Sequence, residues 1–204
     1  ALSAAVREGL ELYGAAGLQA GDVVITNSAA TMGQHLNNVV MYTPIRVSED
    51  DAGLVGFMAI VVHWMDVGGA VVGSCATTKS TEVFQEGIQF PAMKLLNRGE
   101  RDAAMYRLVR ANTRFPPLVL GDMESQLAGC LMGRDMVLEV VRKFGQGTVL
   151  ASVEAFWRRT EAAVRSAIRE IPDGTYEASS FLDDDGIRIG QALPIQVKVT
   201  VAGD

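Results

Sequence analysis

His63-Trp64-Met65-Asp66-Val67-Gly68-Gly69 closes an almost unbroken apolar run, Leu54 to Val62. A run without polar alternation predicts a strand covered on both faces. A histidine and an aspartate three residues apart at a strand exit, followed by two glycines, depart from core composition. Imidazole and carboxylate both ligate divalent ions such as Zn or Mn. The same two side chains can equally form a hydrogen-bonded structural pair. Spacing does not choose between these, because the only other histidine, His35, lies 28 residues upstream and outside any standard zinc pattern. Gly68 and Gly69 permit a sharp turn or a close approach of backbone to a ligand.

A chain of 204 residues can make one large domain or two small ones. With 49% hydrophobic residues it can bury a sizeable core. No window of 18 uninterrupted apolar residues occurs, which predicts no transmembrane helix. No basic segment precedes a hydrophobic one, so no signal peptide is visible. A net charge of −6 argues against a nucleic-acid partner, which needs clustered Lys and Arg. Cys75 and Cys130 are too few for a disulfide scaffold, and a reducing cytoplasm is the simplest expectation. Both read as buried small hydrophobes. Cys75 as a nucleophile would lack a dedicated histidine base.

Upstream of the opening stretch, Leu2, Val6, Leu10 and Tyr13 are spaced for a short helix, broken by Gly14 and Gly17. Val23 to Thr26 and Val39 to Val47 read as strands, and 48–53 as the hairpin connection to the third strand. The polar segment between the first two strands, Asn27 to Asn38, has the length of a functional loop. Asp66 to Thr78 reads as a loop of small residues, either plain surface or an anion-binding nest. Glu82 and Glu86 lie four apart in a polar segment. On a helix they would share a face, as solvated charges or as a ligand or base pair.

Further on, Glu100 to Asn112 reads as helical, stopped by Phe115-Pro116-Pro117. Asp122 is a candidate N-cap for a long helix to about Phe144, with Leu127, Leu131, Leu138 and Val141 as its apolar stripe. Thr148 is a candidate cap for a second long helix, on which Leu150, Val153, Trp157, Val164 and Ile168 share a face. The short Gly145-Gln146-Gly147 link predicts an antiparallel helical hairpin. Strands follow at Thr175 to Leu182 and Ile187 to Val201, around an Asp-Asp-Asp-Gly turn that suits solvent or calcium. The expected class is α+β, with mixed or antiparallel sheets and that hairpin. It divides into a β-rich segment at 1–99 carrying the candidate loops, a helical segment at 100–172, and a β-segment at 173–204. The last is expected to continue into further polypeptide or a partner chain.

Six segments in order resemble the hydantoinase B family. They are Gly21-Asp-Val-Val-Ile-Thr-Asn27, Gly33-Gln-His-Leu-Asn37, His63-x-x-Asp66-Val-Gly-Gly69, Thr81-Glu-Val-Phe-Gln-Glu-Gly87, Leu120-Gly-Asp-Met-Glu-Ser-Gln126 and Ile171-Pro-Asp-Gly-Thr-Tyr176. That family includes the second half of 5-oxoprolinase and one component of acetone and acetophenone carboxylases. The resemblance implies a cytoplasmic hetero-oligomer. A hydantoinase A-type partner uses ATP to phosphorylate the substrate, and the B-type subunit handles the activated species. Hydrolysis of a small cyclic amide is the first expectation. Carboxylation of a ketone is the alternative, and a third is a non-catalytic structural role in such a complex. By the same resemblance His35, His63 and Asp66 become expected ligands of a divalent metal, Zn or Mn. Glu82 or Glu86 becomes the proton acceptor. ATP is expected on the partner, since no Walker-type loop occurs here.

The chain departs from the family pattern in four places. Asn27-Ser28-Ala29-Ala30 replaces an Asn-Asp-Pro-Tyr segment. His35-Leu36-Asn37-Asn38 ends on an amide where the family has an acid. Trp64 replaces a second histidine, and its bulk could wall a flat substrate. An acidic upstream segment is missing, so further polypeptide is expected to complete the B-type subunit. Asn27, Asn38, Trp64, Gly68 and Gly69 are the expected substrate contacts.

Overall fold

A computed structural model describes residues 2–74 and 80–203. Cys75, and with it any nucleophilic role, lies outside the described residues, as does the end of the 66–78 loop. The elements run α1 (Leu2–Gly17), β1 (Val23–Thr26), α2 (Ala29–Met32), β2 (Asn38–Arg46), β3 (Leu54–His63), β4 (Met93–Asn97), β5 (Glu100–Arg101), α3 (Ala103–Asn112), α4 (Pro116–Phe144), α5 (Gln146–Arg169), β6 (Gly174–Leu182) and β7 (Leu193–Val201). The class is α+β with antiparallel sheets. Two compact units divide the described chain, the first reaching Phe144 and the second starting at Gly145.

The first unit is built on a five-stranded sheet in the order β3-β2-β1-β4-β5, antiparallel at every pairing. Side chains alternate across a strand, so neighbouring apolar residues serve opposite faces. Val23, Ile25, Val39 and Met41 pack on one face with Met105, Val109, Val119, Met123 and Leu127 of α3 and α4. Val24, Val40 and Tyr42 pack on the other with Ala5 and Leu18. This double cover explains the runs without polar alternation in β1 and β2. The expected cover on both faces fails for β3. It is the sheet edge, half-buried along most of its length, with Val61 41% exposed.

Several boundaries differ from expectation for local reasons. The Phe115-Pro116-Pro117 signal starts α4 as much as it stops α3, because proline is tolerated in a first helical turn. Asp122 is therefore inside α4 and caps nothing. Asp102 caps α3, accepting from Ala104 N at 2.7 Å and Met105 N at 3.3 Å. Glu100 and Arg101 form β5 instead of helix. Between Thr81 and Gln89 the polar segment forms one 3-10 turn, Val83–Gln85, so Glu82 and Glu86 do not share an α-helical face. Gly145, with φ 82°, stands at the cap position expected of Thr148. In β4 the register with β1 shifts between Val23 and Val24.

The second unit holds α5 and the β6–β7 hairpin, paired from Gly174↔Val201 to Leu182↔Leu193. The two long helices of the expected helical hairpin are both present, with α4 in the first unit and α5 in the second. In the acidic turn, Asp184 and Asp185 accept from the backbone N–H groups of Gly186, Ile187 and Arg188. These are the local bonds that make Asp common in turns. No helix among the described residues is long and apolar enough to cross a membrane.

Candidate active site at the β2–β3 end

The register of β2 against β3 places Asn38 directly opposite His63. Asn38 opens its strand and His63 ends its own, so both side chains emerge at one end of the sheet. His63 Nδ1 lies 3.0 Å from Asn38 Oδ1. An amide oxygen only accepts, so this bond puts the imidazole proton on Nδ1 and leaves the Nε2 lone pair open. His35 follows α2, whose C-cap Gly33 takes a left-handed φ of 64° and turns the chain back toward the strands. Its ring centroid lies 4.9 Å from that of His63. Asn38 N donates to the His35 carbonyl at 3.1 Å, tying the two residues through backbone.

Glu86 completes the group. It ends the 3-10 turn, and its Oε2 accepts from Leu36 N at 3.0 Å. The same oxygen lies 3.8 Å from His35 Nδ1. The Glu86 side chain is 25% exposed and that of His35 31%, so the pair meets both protein and water. Glu82 is exposed at the N-cap of the turn and its side chain makes no capping bond. The 3-10 geometry thus brings only one of the two expected glutamates to the imidazoles.

Asp66 is placed elsewhere. It is fully buried and ion-paired with Arg114, Nη1 to Oδ1 at 2.9 Å. Thr113 Oγ1, Arg114 N, Gly73 N and Gly68 N also donate to it. Burial pushes this carboxyl up, yet these donors together hold it below the ordinary aspartate value. A carboxylate so fully engaged has no lone pair to offer a metal beside His63. Among the described residues no three His, Cys, Asp or Glu side chains group closely enough to hold an ion. The groups that do stand together are two imidazoles, their ring centroids 4.9 Å apart, with the Glu86 carboxylate beside His35 and the Asn38 amide oxygen on the Nδ1 side of His63. Imidazole nitrogens suit a borderline ion such as Zn. The two rings fit such an ion in kind, with the amide orienting one of them and no described acid completing a set of three.

The remaining expected contacts support the site from behind. Asn27 is buried, with its amide donating to Leu36 O and Ile88 O, both at 2.9 Å, and accepting from Phe90 N at 2.7 Å. It clips together the loops that carry His35 and Glu86. Trp64 is fully buried against Phe90, and its indole N–H donates to Gln126 Oε1 at 2.9 Å. It walls the core and not a substrate. Gly68 and Gly69 have φ of 88° and 79°. A Cβ there would come within 2.4 Å of Asn112 O and of Gln85 O respectively. Their closeness is to neighbouring backbone.

Four supporting residues escape a reading by local pattern: Asn37, Thr113, Arg114 and Gln126. Asn37 is buried and donates to Trp64 O and Gly73 O. Gln126 donates to Val39 O and Ile60 O. The one available signal is position: Asn37 and Gln126 each end a segment that carries the family resemblance.

Comparison with known proteins places the whole chain. The chain is 29% identical over 184 residues to the beta chain of caprolactamase from Pseudomonas jessenii, covering 90% of this chain and 31% of that protein. It is 33% identical over 184 residues to a protein of Pseudomonas sp. (strain NS671) provisionally named as the B-type component of a D-/L-hydantoinase, covering 88% and 31%. The chain thus spans about a third of the length of these relatives. The crystal structure of ATP-dependent caprolactamase from Pseudomonas jessenii superposes with a TM-score of 0.88 at 27% identity, over 98% of this chain and 34% of that one. An acetone carboxylase structure shares the fold, with a TM-score of 0.69 at 20% identity. The hydantoinase B/oxoprolinase family model matches residues 1–204 of this chain, and the chain belongs to that family.

Proposed function

We propose that this chain is the part of a B-type subunit that completes an ATP-dependent hydrolysis of a cyclic amide. An A-type partner would activate the substrate by phosphorylating its amide oxygen, in a soluble cytoplasmic assembly. The observation that carries the reading is the cluster of His35, Asn38, His63 and Glu86 at one end of the sheet. The hydantoinase and caprolactamase relatives supply the reaction class.

Within that cluster the proton chemistry follows from placement. Glu86 uses Oε2 for Leu36 N, which leaves Oε1 to take a proton from an attacking water. His35 Nδ1 lies 3.8 Å from that carboxylate, beyond hydrogen-bond distance. His63, held by Asn38, presents Nε2 in one orientation. His35 and His63 are the residues that would hold a divalent ion, with Asn38 orienting the His63 ring from its Nδ1 side. Such an ion, when bound, polarises a carbonyl and lowers the pKa of water toward ~7. Glu82, exposed at the mouth of the turn, serves at most as an outer acidic group.

Ketone carboxylation is the second reading. It is favoured by the acetophenone carboxylase delta subunit of Aromatoleum aromaticum, 24% identical over 196 residues. Labelled bicarbonate separates the two when the complete complex is supplied with ATP. Label in an acid product selects the carboxylase, and a ring-opened amino acid without label selects the hydrolase. In either case His63→Ala is expected to abolish turnover while circular dichroism stays that of the wild type. Full activity in this variant removes His63 from the site, and with it the reading.

A further inference from the structure

We propose that Arg114 is the positioning residue of the His35–His63 site, acting through the 66–74 loop. This rests on the cluster described above being the active site. The guanidinium makes three contacts on that loop: Nη1 donates to Asp66 Oδ1 at 2.9 Å and to Gly68 O at 3.1 Å, and Nη2 donates to Gly69 O at 2.7 Å. Its backbone N–H adds a fourth, to Asp66 Oδ2 at 2.9 Å. A planar fork with fixed donor directions is needed to reach a carboxylate and two carbonyls at once.

Two chains of hydrogen bonds lead from this clamp to the site. In the first, Asp66 Oδ1 also accepts from Gly73 N at 3.0 Å, and Gly73 O accepts from Asn37 Nδ2 at 3.1 Å. Asn37 stands between His35 and Asn38. It also holds the residue after His63 twice, its Nδ2 donating to Trp64 O at 2.8 Å and its backbone carbonyl accepting from Trp64 N at 2.8 Å. In the second, Gly69 is pinned by Arg114, and the next residue, Ala70, donates N–H to Gln85 O at 2.8 Å. Gln85 precedes Glu86. One side chain from the α3–α4 junction thereby fixes the backbone on which both imidazoles and the carboxylate stand.

The side chain of Arg114 touches none of the four site residues, so its role is geometric. Lysine keeps the charge opposite Asp66 but replaces the fork with a single ammonium, which cannot reach Asp66, Gly68 O and Gly69 O together. Glutamine removes the charge and strands a buried carboxylate. Pairing it with Asp66→Asn restores neutrality, so the double variant separates positioning from folding.

The test uses protein labelled with 15N histidine at one fixed pH, together with titration of Co2+ followed by its visible absorption. In the wild type, His63 is expected to show separate protonated Nδ1 and lone-pair Nε2 signals of a single tautomer. In Arg114→Lys and in Asp66→Asn/Arg114→Gln, these signals are expected to converge. Co2+ affinity is expected to fall by up to about 10-fold, the lower end of what removing a direct partner of a ligand costs, because Arg114 acts through intervening residues. Thermal unfolding of the double variant should stay cooperative. Wild-type tautomer signals and wild-type Co2+ affinity in that folded double variant overturn the proposal. Should the wild type itself take up no Co2+, the metal assignment fails. The tautomer signals then decide for Arg114 alone.

Discussion

Gln126 shows how one buried amide can join three parts of the fold. Its side chain is 3% exposed, and all its polar capacity faces inward. Oε1 accepts from the Trp64 indole, while Nε2 donates to Val39 O on β2 and Ile60 O on β3. It sits three residues after Met123 and four before Cys130, so it occupies the stripe of α4 that presses on the sheet. Gln126→Leu keeps the volume and removes the partners. The stranded indole N–H alone should cost about 1–3 kcal/mol. Urea unfolding should therefore show a lower midpoint with an unchanged slope. An unchanged midpoint would mean that water replaces the amide at no cost. The same residues show what local pattern can and cannot reveal. The pairing of His35 with His63 is legible through segments that resemble a family. Asp66 reads as a ligand through the same resemblance, since it shares a family segment with His63. Its actual partner, Arg114, is 48 positions later and shares no periodicity with it. Trp64 reads as a substrate wall for a similar reason, since no local signal places its indole against Gln126.

At the scale of elements, α1 crosses β2 at a point where the chain has no spare room. A Cβ on Gly9 would lie 1.7 Å from Tyr42 Oη and 2.8 Å from Cζ of the same ring. Tyr42 is fully buried, and its hydroxyl has no hydrogen-bond partner among the described residues. Burial, first of all, and then the Glu8 charge push that hydroxyl well above the ordinary tyrosine value, so it stays neutral at the crossing. Two effects compete in Gly9→Ala. Helix propensity favours alanine by about 1 kcal/mol. The clash with a rigid ring forces α1 away from the sheet, which costs about 1–3 kcal/mol. The clash should win, giving a net loss in thermal midpoint. In a Tyr42→Phe background the nearest collision disappears, so the same substitution should cost measurably less. Simple additivity of the two changes would argue against the contact. Strands β1 to β3 are legible because apolar runs and a hairpin mark them. β4 is not, since Met93–Asn97 carries Lys94 in a short segment behind Pro91. That lysine is an interior partner, reaching the buried Asp22 at 2.7 Å. The start of α4 is misplaced by pattern alone because a proline pair serves as well to open a helix as to end one.

Over the whole molecule the buried side chains are unevenly shared. Every buried hydrophobic residue lies at or before Val141, and two clusters cover the two faces of the five-stranded sheet. From Gly145 onward no described residue is buried. On α5, Leu150, Val153, Trp157, Val164 and Ile168 remain exposed along the stripe that their spacing marks out. On the β6–β7 hairpin, Tyr176, Phe181, Ile195, Val197 and Val199 are exposed too. A two-stranded hairpin is marginal in water without a face to pack on. Cooperative stability should therefore reside in residues up to Phe144, while the later residues carry about half of the exposed large hydrophobic side chains. A chain cut after Phe144 should keep a single thermal transition near that of the parent. It should also bind less of the dye 8-anilinonaphthalene-1-sulfonate, which reports exposed apolar surface. The thiol of Cys130 gives an independent check. Burial pushes it up to about 11, so it should resist alkylation near neutral pH in both chains as long as the sheet stays covered. Rapid labelling of Cys130 in the shortened chain would place part of the fold's stability in α5 and the hairpin, against the distribution of buried side chains.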